Sequence, residues 1–109
     1  MNMVTLNIGM NGNPFSYDEL SETLGYAFAA RCQMHEGTYE GIPEKTLVAL
    51  IPAQRLTFNE LTLLTQLCRQ ECLAVYEHDK GEGWLFWNAN VPEKMDFDEQ
   101  YFIHSTIVI

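Results

Sequence analysis

The side chains best suited to chemistry in this sequence are its three cysteines and three histidines. Cys68 and Cys72 stand four apart, and His78 follows six residues later. Thiolate and imidazole are zinc ligands, and they also form nucleophile–base pairs. The spacing completes neither chemistry. Zinc needs a fourth ligand, and His35 or His104 would have to supply it from elsewhere in the chain. Cys68 also belongs to a helical pattern and Cys72 to a strand pattern. No neighbour in sequence activates a thiol. The three thiols therefore read as small, reduced core groups, and we expect no metal, no cofactor and no catalytic residues. A second stretch, GMNGN at 9–13, lies between a strand and a helix start, where anions can bind. It lacks the pattern of a phosphate loop and reads first as an ordinary turn.

Two polar and aromatic groups remain as candidates for binding. Gln70 and Glu71 sit at the turn between a helix and a strand, while Glu44 and Thr46 open the strand before that helix. A polar cluster there can bind a ligand or satisfy helix-end backbone groups. Trp84, Phe86 and Trp87 form an aromatic strand. Alternation puts Trp84 and Phe86 on one face and Trp87 with Leu85 on the other. In an edge strand one of those faces is an interface, because Trp concentrates binding energy. Otherwise both are covered by the segment that follows.

The elements that position these residues centre on 56–76, LTFNELTLLTQLCRQECLAVY. Thr57 and Glu60 spell a capping box, with Leu56 and Leu61 as a hydrophobic staple. Phe58, Leu61, Leu64, Leu67 and Cys68 recur at helical spacing as one buried stripe. Residues 72–76 (CLAVY) read as a strand buried on both faces. The same device opens an earlier helix: Ser16 caps, Glu19 completes the box and Phe15 staples to Leu20, ahead of a stripe of Leu20, Leu24, Ala27 and Phe28. The helices are thus expected over 16–30 and 57–69.

Residues 3–8 (MVTLNI) alternate as a first strand. Residues 32–40 form a second, with Cys32, Met34 and Tyr39 inward and a bulge near Gly37. Gly41-Ile42-Pro43 makes a turn, 46–51 (TLVALI) a third strand, and 78–83 a hairpin turn into 84–87. Residues 88–99 read as a loop, with a helical turn over 97–101 and a last strand at 102–109.

The 109 residues fit one domain. A hydrophobic content of 47% against 19% charged residues specifies a folded chain. The formal net charge of -9 repels phosphates, which argues against direct DNA or RNA binding and favours a basic partner or plain solubility. No stretch is long enough for a membrane span, and no basic-then-apolar leader opens the chain. With an odd number of cysteines, a reducing cytoplasm is expected. The element order predicts an α+β fold: a ferredoxin-like, split βαβ two-layer sandwich. It has a mainly antiparallel sheet, two helices on one face, an extra hairpin strand and a C-terminal strand.

Short motifs carry a resemblance. Asn7-Ile8-Gly9, Glu44-x-Thr46-Leu47-Val48, Gln70-Glu71-Cys72-Leu73-Ala74-Val75 and Phe97-x-x-x-Tyr101-Phe102 resemble a loose group of small proteins of tailed phages and prophages. Small accessory proteins of that kind act by binding. The resemblance thus implies a non-enzymatic protein of the host cytoplasm that inhibits a host defence or regulatory component. Its binding candidates are Glu44, Thr46, Gln70, Glu71, Trp84, Phe86, Trp87, Tyr101 and Phe102. The alternatives are a sponge for a small nucleotide signal and a structural phage protein. A homodimer is expected as well, since both faces of the sheet are apolar and two helices cover only one.

Overall fold

The structure is a computed structural model and describes residues 2–39, 41–70, 72–87 and 92–95. The architecture is α+β: an antiparallel sheet with two helices. Strand β1 (Met3–Gly9) leads to helix α1 (Tyr17–Phe28), then to the hairpin β2 (Arg31–Tyr39) and β3 (Ile42–Pro52). A single 3-10 turn (Ala53–Arg55) precedes helix α2 (Phe58–Leu67). Strands β4 (Cys72–Glu77), β5 (Glu82–Trp87) and β6 (Pro92–Met95) follow. The sheet order is β2-β3-β1-β4-β5-β6, and every pair of neighbours is antiparallel.

Both helices start as their capping boxes dictate. The Ser16 amide donates to Glu19 Oε1 at 3.0 Å, and the Glu19 amide donates back to Ser16 Oγ at 3.2 Å. Thr57 and Glu60 repeat the exchange at 3.3 Å in each direction. Both helices also end on a left-handed residue that is not glycine, Ala29 at φ 56° and Arg69 at φ 52°. The helices are shorter than the expected 16–30 and 57–69, because these left-handed residues stop them.

The core lies between the helices and one sheet face. Val4, Leu6 and Ile8 of β1, Leu47, Ala49 and Ile51 of β3, and Leu73 and Val75 of β4 meet Leu20, Leu24, Phe28, Leu61, Leu64 and Cys68. The opposite face is apolar too: Val48 and Leu50 pack with Met3, and Ala74 and Tyr76 with Leu85. These four central residues are buried in the single chain.

Several expectations are corrected. Ala27, Phe58 and Leu67, assigned to buried stripes, are exposed. The face of α2 that meets the sheet runs through Leu61, Leu64, Thr65 and Cys68, so Phe58 and Leu67 fall to its flanks. Thr65 is fully buried because its hydroxyl donates to Leu61 O at 2.7 Å. No bulge interrupts β2: Arg31 to Tyr39 pair in unbroken register with Leu50 to Ile42. Gly37 sits close to the neighbouring strand instead, where a Cβ would meet Thr46 Oγ1 at 3.1 Å. Ile42 and Pro43 already belong to β3, which leaves Gly41, at φ 80°, in the tight turn. Within the expected loop 88–99, Pro92–Met95 pairs with β5, so β5 is not an edge strand. The helical turn expected over 97–101 and the strand expected at 102–109 lie outside the described residues.

Candidate functional site

The polar candidates come together only in part. Gly9 pairs with Thr46, and Asn7 with Ala74, so the start of β4 and the Thr46 end of β3 share one end of the sheet, with β1 between them. There the Glu44 carboxylate lies against Gly9, where a Cβ would meet its atoms at 2.5 to 2.6 Å. Gln70 turns to the end of α2. It is buried, and its side-chain amide donates to Cys68 O at 2.9 Å, which satisfies a carbonyl at the end of α2. Glu71, Tyr101 and Phe102 lie outside the described residues.

The aromatic strand divides as its register requires. Trp84 pairs with Val75 and packs against the core under the helices. Its indole is thus half-buried against that core. Phe86 and Trp87 pair with Leu73 and Cys72 in the same ladder.

The thiols do not converge. Cys68 joins the core on the helix side, while Cys72 alternates with the core residue Leu73 and so takes the other face. Burial pushes the thiols of Cys32 and Cys68 up, although hydrogen bonds with Ser21 and Asn13 respectively act the other way. Neither is an activated thiolate. On the face opposite the helices, His78 Nε2 hydrogen-bonds Thr5 Oγ1, and its ring meets Tyr76 edge-on with centroids 4.9 Å apart. Among the described residues, no three His, Cys, Asp or Glu side chains gather as a metal site.

The GMNGN stretch is an ordered turn. The Asn13 carboxamide donates to Gly9 O and accepts from the Phe15 amide, and Asn11 donates to Pro43 O. The helix N-terminus beyond it already holds an anion, the carboxylate of Glu19. Hydrogen bonds from the Ser16 backbone and side chain hold that carboxyl below its ordinary pKa.

The outer side of the helical layer is the surface that the candidate residues did not include. Tyr26 of α1 is 94% exposed; on α2, Leu63 is 52%, Leu67 49% and Phe58 45% exposed. Leu63 and Leu67 are one turn apart and adjacent on the helix surface. Neither helix contains Lys or Arg, while Asp18, Glu19, Glu22 and Glu60 all lie within them. The sequence held part of this signal: the expected helix 16–30 has no cation and the expected helix 57–69 has Arg69 alone, at its end. No helix among the described residues is long and apolar enough to cross a membrane. Comparison with protein families, with curated proteins and with solved structures returns no match.

Proposed function

We propose that this chain is a non-enzymatic accessory binding protein of phage origin, which inhibits a host defence or regulatory component by protein–protein contact. The fold we propose for it is ferredoxin-like, with β5 and β6 added beside β4. Two strand–helix–strand units with order β2-β3-β1-β4 support that assignment. Phage origin rests on the motif resemblance. The mode of action rests on one observation: large apolar side chains stand exposed on a helical layer that has carboxylates and no cation. Such a surface fits a partner with an apolar pocket and a basic rim. Apolar anchors give affinity, and complementary charge gives orientation and a fast encounter.

The test is parallel capture from host cytoplasm with wild type and with a Leu63→Lys/Leu67→Lys variant. The reading predicts a basic protein retained by wild type, released as salt is raised and absent from the variant. Retention of the same proteins by both would refute it.

A further inference from the structure

We propose that the outer edge of β2, unpaired among the described residues, is a second binding surface, which takes an extended, basic segment of a protein partner as an added antiparallel strand. The inference rests on the reading that the partner is a protein, and not on which helix side chains it touches.

The two ends of the sheet differ. β6 is four residues long and contains Pro92 and Lys94, devices that blunt an edge. β2 is nine residues long, in unbroken register, with no Pro, no Lys and no bulge. Its residues from Arg31 to Gly37 are exposed or half-buried.

The ladder fixes which of its groups face out. The Met10 amide donates to Lys45 O, so the odd-numbered residues of β3 bond to β1 and the even-numbered ones to β2. In β2, Arg31, Gln33, His35 and Gly37 therefore bond inward. Cys32, Met34 and Glu36 turn their amides and carbonyls outward. The Cys32 carbonyl is taken by the Tyr17 hydroxyl at 3.1 Å. The outward groups of Met34 and Glu36 have no partner among the described residues, and Met34 is 39% exposed.

Charge decides the occupant. Tyr17 and Ser21 of α1 touch Cys32. Asp18 and Glu22, the next residues along the helix, stand exposed. Glu36 is on the same side of the sheet, with Lys45 across from it in register. A second copy related by a two-fold axis would bring two such sets of carboxylates together. A strand with an apolar residue beside Met34 and a Lys or Arg beside Glu36 meets complementary chemistry.

The probe is a capped nine-residue peptide alternating valine with lysine and threonine, added to the full chain and followed by amide hydrogen exchange. The proposal predicts exchange at least about tenfold slower at Met34 and Glu36, with Gln33 and His35 unchanged. Leu63→Lys should preserve this effect, which separates it from the helical surface. Glu36→Lys should weaken the peptide about tenfold, and N-methylation of the peptide's pairing amides should abolish binding. Three outcomes would overturn the proposal: no slowing at millimolar peptide, equal binding of a glutamate version, or slowing at these amides by self-association without peptide.

Discussion

Helices α1 and α2 start with the same device and end with the same irregularity, yet their sides do different things. Each opens on a reciprocal capping box, and each stops at a left-handed residue other than glycine. α1 buries Leu20, Leu24 and Phe28, its large aliphatic residues and its only phenylalanine, in the core. α2 has more apolar side chains than its contact face can take, and Leu63, Leu67 and Phe58 remain outside. The ends of a helix are decided by local hydrogen bonding, but its surplus apolar side chains are decided by what the sheet leaves uncovered. That surplus, on a helix without cations, is the surface on which the proposed contact rests.

The sharpest way to break this comparison is to truncate one leucine on each helix. Leu24 is fully buried, so Leu24→Ala should cost about 2–5 kcal/mol. Leu63→Ala should stay within about 0.5 kcal/mol. Urea denaturation measures both, and similar losses would mean that α2 is packed on its outer side as well.

The caps come next. Ser16→Ala and Thr57→Ala should each cost about 1 kcal/mol in the same assay. The folded pKa of Glu19 is depressed, so its contribution is present above the unfolded value and is lost as pH falls through the folded one. Stability of wild type should therefore drop on the acid side of the ordinary carboxylate range, and Glu19→Gln should flatten part of that drop. An unchanged acid limb in Glu19→Gln would contradict the capping role.

The smallest effects are gains. Ala29→Gly and Arg69→Gly should each stabilise by roughly 0.5–1 kcal/mol, since a left-handed backbone strains any residue with a Cβ. Loss of stability in either variant would show that the side chain itself is needed at that helix end.

These contrasts also explain what could be read from the sequence. Ser16-x-x-Glu19 and Thr57-x-x-Glu60 act within one turn, so both helix starts were legible. So were β1, from the alternation of Val4, Leu6 and Ile8, and β4, from a run apolar on both faces. The side of α2 that meets the sheet was not, because Phe58, Leu61, Leu64 and Leu67 fit one stripe until packing selects a narrower one. Gly37 resembled a bulge because a lone glycine in a strand does not reveal how close Thr46 lies. β6 was hidden behind Pro92, a residue that edge strands tolerate. Of the candidate site, the face that Trp84 takes was not legible, because it depends on pairing with Val75, and pairing is a long-range fact. Leu67 went unnoticed as a surface residue because it fits the buried stripe, and Leu63 because it belongs to no stripe.

The most direct test of the account is the affinity of the captured partner for wild type and for Leu63→Lys/Leu67→Lys, measured by calorimetry at low and at high salt. The account predicts at least about tenfold weaker binding for the variant and, for wild type, an affinity that falls as salt rises. Equal affinity for the two proteins, or binding that strengthens with salt, would contradict it.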